Sequence, residues 1–190
     1  MGIKLHVAWR DKPTRRGFSM IDSQGERAIT VIGERLAPNY RDNLDWDILK
    51  KMDGIFITAS DSEIFKMARS ASILCTTPRV GINTINKSNV SLDGLIGSNL
   101  DPGEEFSFSE LLVKPKYTIK TEGEKGGIIF PGGRYEALKN KDRKVDSYGC
   151  GDSFAAGILY GMASNWDIDK SLNLAKVIGR DSSEFFGPYA

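Results

Sequence analysis

The sequence predicts an α/β protein: a parallel β-sheet covered by helices, with a small separate β-sheet near the N-terminus. Two observations lead to this expectation. From residue 45 onward, short apolar segments of strand length alternate with segments of helical periodicity, a pattern typical of parallel sheets with helical crossovers. Residues 1–33 instead show period-2 alternation interrupted by turns, which is typical of half-exposed strands. We therefore divide the chain into residues 1–33 and residues 34–190.

The chain has the composition of one soluble globular domain: 190 residues, 40% of them hydrophobic and 27% charged. Its net charge of +1 argues against a nucleic-acid-binding protein, which normally carries a basic excess. No apolar run approaches the roughly 20 residues of a membrane span, so we expect no membrane association. Cys75 and Cys150, in a chain without a signal-peptide pattern, predict free thiols and a cytoplasmic location. A single histidine, His6, disfavours a histidine-based metal site or a Ser-His triad.

The first 33 residues are expected to form strands. Residues 3–9 place Ile, Leu, Val and Trp at alternate positions, and Pro13 ends this pattern. Residues 17–22 and 27–32 predict two further strands, joined by a turn at residues 23–26. Because polar residues fill the alternate positions of the first strand, the small sheet should have one polar face.

The second part is expected to alternate strands and helices. The helix at 61–71, for example, carries Ile64, Met67, Ala68 and Ala71 on one face. The expected strands are 54–58, 72–75, 92–96, 117–121 and 127–130, and the expected helices are 45–51, 61–71, 104–113, 151–163 and 168–178.

The most informative segment runs from Asp146 through the small residues Gly149, Cys150 and Gly151 to Asp152, and an apolar helical run follows it. Glycine allows the backbone to approach an anion closely, and the positive end of the following helix points to the same place. A carboxylate beside such an anion hole can take a proton from a hydroxyl while negative charge is stabilised. The alternative interpretation is a glycine-rich helix N-terminus that only turns the chain.

This segment closely resembles the signature Asp-Thr-x-Gly-Ala-Gly-Asp-Ser/Ala-Phe of the PfkB/ribokinase family of carbohydrate kinases, with Ser147 in place of Thr and Cys150 in place of Ala. The resemblance implies a ribokinase-like fold in which residues 1–33 form a lid, whose Gly-Glu-Arg turn lies at residues 25–27. It also implies ATP-dependent phosphorylation of a sugar or nucleoside hydroxyl with Mg²⁺, and Asp152 as the catalytic base. A monovalent cation such as K⁺ is implied near Asp146.

A glycine-rich stretch follows the expected strand 117–121, and the ends of such strands are where open α/β sheets bind ligands. Taken alone, this stretch is also compatible with a simple hairpin turn. In the PfkB family a Thr-x-Gly-x-x-Gly segment contacts the nucleotide at this place, and the resemblance assigns that contact to Thr121, Gly123 and Gly126. Asn173 and Lys176 of the last helix, with the tail at 187–189, resemble the positions that pack around the adenine.

Asn99 follows a predicted strand and resembles the start of the family's Asn-x-x-Glu motif, which orders phosphate and magnesium. Pro102 stands where the glutamate belongs. Glu104 is among the nearest carboxylates, so Asn99 and Glu104 are the candidate magnesium residues. Asn99 is equally compatible with a capping role for helix 104–113.

The family also carries an N-terminal segment with a Gly-Gly pair and an Asn that hold the sugar, whereas this sequence begins almost at the lid. We therefore expect an ATP-dependent carbohydrate kinase that lacks most of the sugar-holding residues. A natural short protein, a truncated gene product and one piece of a split enzyme all remain open. The alternative function is an inactive nucleotide-binding or dimerisation module, and phosphorylation of a vitamin precursor is a weaker option. The exposed apolar side of the lid predicts a homodimer through the lid, or poor solubility.

Overall fold

A computed structural model describes residues 2–23, 27–141 and 145–187. A six-stranded sheet lies between two layers of helices, and a separate two-stranded sheet precedes it. The elements are β1 (Arg16–Ile21), β2 (Arg27–Ile32), β3 (Gly54–Ile57), α1 (Ser62–Ala68), β4 (Ile73–Thr76), α2 (Ile82–Ser88), β5 (Gly94–Ser98), β6 (Tyr117–Thr121), β7 (Gly127–Phe130), β8 (Gly133–Tyr135), α3 (Cys150–Ala163) and α4 (Ile168–Asp181).

The large sheet has the strand order β3-β4-β5-β6-β7-β8. The first four strands are parallel, whereas β7 and β8 run antiparallel to their neighbours. The prediction of a parallel sheet covered by helices is thus confirmed for most of the sheet. It is wrong at β7 and β8, because the turn after β6 is too short for a crossover and must reverse the chain.

The sheet separates two apolar cores, and alternate residues of each strand serve opposite faces. Leu95 of β5 packs with Phe65 of α1 on one face. Its neighbour Ile96 packs with Phe154 and Ile158 of α3 on the other. This alternation fixes α1 and α2 on one side of the sheet and α3 and α4 on the other.

The two-stranded sheet confirms the expected strands at 17–22 and 27–32, and Arg16 pairs with Ile32 at one end of it. Every described side chain of β1 and β2 is exposed. Residues 24–26, where the Gly-Glu-Arg turn begins, lie outside the described residues. The strand expected at 3–9 is wrong, since this segment pairs with no strand in the described part of the chain. An alternating sequence forms a strand only where the edge of another strand can pair with it.

The helix expected at 104–113 is also wrong. Two short 3₁₀ turns, Pro102–Glu104 and Phe108–Glu110, occupy this stretch. A capping box at Ser107 begins the second turn as a separate element. Phe106 and Leu111, on either side of it, are buried in the core. Residues 46–51 likewise form a 3₁₀ helix rather than an α-helix.

Two elements were not foreseen. Apart from Lys87, the helix α2 consists of Ile, Asn, Thr and Ser, which are poor helix formers, so packing in the core through Ile85 stabilises it. The strand β8 is only three residues long and begins with Gly133. Among the described residues, no helix is both long and apolar enough to cross a membrane.

Candidate functional site

The N-terminus of α3 lies at the carboxyl edge of the parallel strands. A Cβ atom at Gly54, the first residue of β3, would lie 3.1 Å from both Ala163 Cβ and Leu159 Cδ1. The last turn of α3 therefore covers the start of β3, so the two elements run antiparallel. A 14-residue helix is about 21 Å long and extends past a four-residue strand of about 13 Å. Its first turn thus reaches the edge where open α/β sheets bind ligands.

The turn before α3 presents backbone N–H groups. Gly149 adopts φ 82° and ψ −6°, a left-handed conformation that favours glycine. Helix α3 begins at Cys150, one residue earlier than expected. The Cys150 N–H donates to the Ser147 carbonyl at 3.4 Å, whereas the N–H groups of Gly149 and Gly151 meet no acceptor among the described residues. Two of the three predicted anion-hole amides are therefore available to a ligand.

Asp152 and Gly151 are both exposed in the first turn of α3. A Cβ atom at Gly151 would meet nothing within 4 Å, so open space lies directly beside these amides. The Asp152 carboxylate, the helix N-terminus and N–H groups that meet no acceptor in the described part of the chain share one solvent-facing surface. This arrangement can bind an anion next to a base.

Asp146 is buried and ties this turn to the end of the chain. Its Oδ1 accepts from the Tyr148 N–H at 2.9 Å, and its Oδ2 accepts from the Gly187 N–H at 3.1 Å. Its own N–H donates to the Ser183 carbonyl at 3.3 Å. Through these bonds the buried carboxylate of Asp146 stabilises the turn. Contact of Asp146 with a monovalent cation stays a prediction.

The glycine-rich turn after β6 forms the hairpin that leads into β7. Gly123 and Gly126 have φ 60° and 83°. A Cβ atom at Gly126 would lie 2.0 Å from the Tyr135 carbonyl oxygen, so the fold itself requires glycine there. Thr121 ends β6, and its hydroxyl donates to the Gly97 carbonyl at 3.4 Å. The hairpin interpretation and a nucleotide contact at this edge are compatible.

A polar cluster that the sequence did not reveal links the ends of β5 and β6. The Asn99 side-chain amide donates to Glu122 Oε1 at 2.9 Å, and the Asn99 N–H donates to the Thr121 carbonyl at 2.8 Å. Arg134 of β8 forms an ion pair with Glu122. Arg134, and then Asn99, hold the pKa of the Glu122 carboxyl below its ordinary value. Its position next to Thr121 could have identified Glu122 as a site residue from the sequence. Arg134 could not be identified in this way, because its contact with Glu122 depends on the pairing of β8.

Glu104 is buried at the end of β5 rather than open to a metal. Its Oε2 accepts from the Ser98 N–H at 2.6 Å, and its Oε1 accepts from Arg79 Nε at 2.9 Å. No group of three or more His, Cys, Asp and Glu that could hold a metal occurs in the described part of the chain, and a magnesium contact of Asn99 and Glu104 stays a prediction. Asn99 caps no helix, since helix 104–113 is absent, and Asp101 caps the 3₁₀ turn instead.

Asn173 and Lys176 lie on α4, which runs antiparallel to α3. Gly179 of α4 lies beside Cys150, because a Cβ atom there would be 3.4 Å from the Cys150 carbonyl oxygen. At a rise of 1.5 Å per residue, Lys176 lies about 4.5 Å and Asn173 about 9 Å from Gly179 along the axis of α4. Asn173 is exposed and Lys176 half-buried. Residues 188–189 of the tail lie outside the described residues.

One family model matches part of the sequence. Residues 108–180 match the model of the pfkB family of carbohydrate kinases. This part of the chain is similar to the PfkB family. The PfkB match includes the turn at 121–126, Asp146–Asp152 and both α4 residues, but Asn99 and Glu104 lie outside it.

Solved structures with the same fold are distant in sequence. A probable sugar kinase from Rhizobium etli superposes with a TM-score of 0.69 at 18% identity, covering 93% of this chain and 62% of that one. Adenosine kinase from Sinorhizobium meliloti gives 0.69 at 18% identity, with coverages of 94% and 63%. Arabidopsis thaliana ribokinase, solved with ribose and ATP, gives 0.66 at 16% identity, with coverages of 93% and 65%.

These similarities establish a ribokinase-like fold beyond the PfkB segment itself. The chain spans slightly less than two thirds of the length of each of these structures. Curated proteins give no significant match to the sequence.

Proposed function

We propose that this protein binds ATP at the N-terminus of α3 and transfers its terminal phosphoryl group to a hydroxyl of a sugar, nucleoside or related small molecule. One observation carries the proposal: the exposed carboxylate of Asp152 lies in the same helix turn as the Gly149 and Gly151 N–H groups, which meet no acceptor among the described residues. The match of residues 108–180 to the model of the PfkB family supports it.

In the proposed reaction Asp152 accepts the proton of the acceptor hydroxyl as that oxygen bonds to the phosphorus atom. The bond between the γ-phosphorus and the oxygen that joins it to the β-phosphate breaks, and this oxygen leaves as part of ADP. The Gly149 and Gly151 N–H groups donate to oxygens of the phosphoryl group and stabilise its charge, an effect typically worth about 10²–10³ in rate. The nucleotide is expected as its Mg²⁺ complex, which neutralises phosphate charge.

The remainder of the nucleotide is expected between the hairpin turn and α4. Thr121, Gly123 and Gly126 line the carboxyl end of β6, and Lys176 and Asn173 flank the approach along α4. Arabidopsis thaliana ribokinase was solved with ribose and ATP, which shows that this fold accommodates both types of ligand. A monovalent cation near Asp146 and a cytoplasmic location remain predictions.

The second candidate is a nucleotide-binding or dimerisation module without catalytic activity. Glu104 favours it, because its carboxylate is engaged by Ser98 and Arg79 instead of facing a ligand. Pro102 occupies the motif position at which the family has its glutamate. If the metal of the metal–nucleotide complex is bound weakly, phosphoryl transfer is reduced more than nucleotide binding is, as expected for such a module.

The decisive experiment combines calorimetric titration with Mg-ATP and a phosphoryl-transfer screen over sugars, nucleosides and vitamin precursors. Nucleotide binding with transfer to one acceptor class supports the kinase. Saturable binding without any transfer supports the module. If neither binding nor transfer occurs, both proposals fail.

A further inference from the structure

Arg35 links the base of the lid, which we define as Arg15 and residues 33–35, to the carboxyl ends of two parallel strands. Its Nη2 donates to the carbonyl of Thr58, just after β3, at 2.7 Å, and its Nη1 donates to the carbonyl of Arg79, after β4, at 3.4 Å. Both acceptors are uncharged carbonyl groups. The positive charge of Arg35 is therefore held at the ligand-binding edge of the sheet without a balancing anion from these contacts.

Two further arginines surround this position. Arg15 lies across the lid base, since a Cβ atom at Gly33 would be 3.6 Å from the Arg15 Cα. Burial lowers the pKa of Arg35, and the charges of Arg79 and Arg15 lower it further. Such repulsion means that the charges of Arg79 and Arg15 each lie within electrostatic range of the Arg35 guanidinium.

Among the described residues, carboxylates pair with only one of the three arginines. Arg79 forms ion pairs with Asp101 and Glu104. Among residues 2–23, 27–141 and 145–187, no carboxylate forms an ion pair with Arg35 or Arg15. The lid base thus carries an excess of positive charge that an anionic ligand could balance.

The arginines share an edge with the proposed catalytic residue. Arg79 reaches Glu104, which holds the Ser98 N–H at the end of β5, and β5 is the direct neighbour of β4 at a spacing of about 4.8 Å. Helix α3 packs against β3, β4 and β5. Its last turn covers the start of β3, so its first turn, with Asp152, lies toward the carboxyl ends of these strands. A molecule of sugar size could therefore extend from Asp152 toward Arg35.

We propose that the acceptor carries its own anionic group, a phosphate or a carboxylate, which Arg35 and Arg15 bind while the reacting hydroxyl faces Asp152. This inference rests on the proposed kinase function for the role of Asp152. Guanidinium groups suit the task because they form paired, charge-assisted hydrogen bonds with phosphate and carboxylate oxygens. Neutral sugars lack a partner for this charge, so they are the poorer ligands.

The test is calorimetric binding of ribose, ribose 5-phosphate and gluconate to the full chain in the absence of nucleotide. We expect tighter binding of at least one anionic probe than of ribose, and the comparison of the two anions distinguishes phosphate from carboxylate. Arg35→Gln should weaken binding of the preferred anion about 10- to 100-fold and leave ribose unaffected. Arg35→Lys should retain part of the preference, because it keeps the charge.

Arg41→Gln is the matched control, since Arg41 is exposed and contacts Tyr40 rather than the other arginines. Arg15→Gln provides a second test without loss of the Arg35 carbonyl bonds, and circular dichroism verifies folding of each variant. Equal binding of ribose and both anions, no binding of any probe, or equal losses in Arg35→Gln and Arg41→Gln would each overturn the inference. Mg-ATP binding with transfer to neutral acceptors alone would overturn it while leaving the kinase function intact.

Discussion

Gly157 of α3 packs directly on the backbone of α4: a Cβ atom at position 157 would lie only 2.7 Å from the Cα of Ala175. Four residues later, a Cβ atom at Gly161 would lie 2.4 Å from Ser171 Oγ. The absence of side chains at these two positions lets the helices approach closely. Because α3 carries Asp152 at its first turn, this contact also fixes the height of the candidate site above the sheet.

We therefore expect Gly157→Val to destabilise the protein. The new side chain would have to push the backbone of α4 away, and overpacking of this kind typically costs about 1–3 kcal/mol. Ala156→Val is the control, since Ala156 is exposed on the same helix and a β-branched residue there costs below about 1 kcal/mol. Urea denaturation measures both. Equal stability of the two variants would contradict the close contact.

The parts of the fold that follow local patterns could be predicted from the sequence. The period of the apolar residues located α1, which buries one clear face. The strands β3 and β6 were expected from their length and composition, and β3 packs on both sides of the sheet, with Ile57 in one core and Phe56 against the other. Helix 104–113 failed for a tertiary reason: Phe106 and Leu111 gain more from burial under α1 and α2 than the stretch gains from helical hydrogen bonds. The antiparallel direction of β7 and β8 could not be read from periodicity alone.

The site divides in the same way. The segment from Asp146 to Asp152 is contiguous, so its composition alone predicts the turn, the helix start and the exposed carboxylate. The contact between Glu122 and Arg134 depends on the pairing of β6, β7 and β8, which no local pattern reveals. Glu104 was expected near a metal, but its partner Arg79 is 25 positions away and only the folded chain brings the two together.

If Asp152 is the general base, Asp152→Asn should lower kcat about 10²–10⁴-fold, because the amide cannot accept the hydroxyl proton. Affinity for Mg-ATP should stay largely unchanged, as measured by calorimetry. Asp169→Asn is the control, since Asp169 is an exposed carboxylate in the first turn of α4. Normal turnover in Asp152→Asn would rule out the role. If the parent chain shows no turnover, the nucleotide-binding module is favoured instead.

A Gly151→Val substitution should abolish or strongly weaken ATP binding while the protein stays folded. The added side chain would enter open space beside the Gly149 and Gly151 N–H groups and keep phosphate oxygens from reaching them. Circular dichroism and an ATP titration measure the two effects separately, with Ala156→Val as the control on the same helix. An unchanged ATP titration would remove the anion hole from the site.

Arg134→Gln should reduce thermal stability at pH 7 but not in strong acid. Arg134 lowers the folded-state pKa of Glu122 from its ordinary 4.5, so the stabilisation is complete above about pH 4.5 and is lost as the pH falls through the folded-state pKa. The Tm values of parent and variant should therefore converge at low pH. Arg41→Gln should show no such convergence. A Tm difference that persists after Glu122 is protonated would mean that packing, rather than charge, links the two residues.

The lid should drive self-association. Its pairing register places Phe18, Met20 and Ile32 on one face, and Phe18 and Ile32 are 62% and 64% exposed. A two-stranded sheet cannot bury such a face alone, so we expect a homo-oligomer or poor solubility in sedimentation experiments. The double variant Phe18→Lys with Ile32→Lys should shift the protein toward monomer. Leu112→Lys, which changes an exposed apolar residue outside the lid, should not. A parent protein that remains a stable monomer at all concentrations would show that the lid needs no partner.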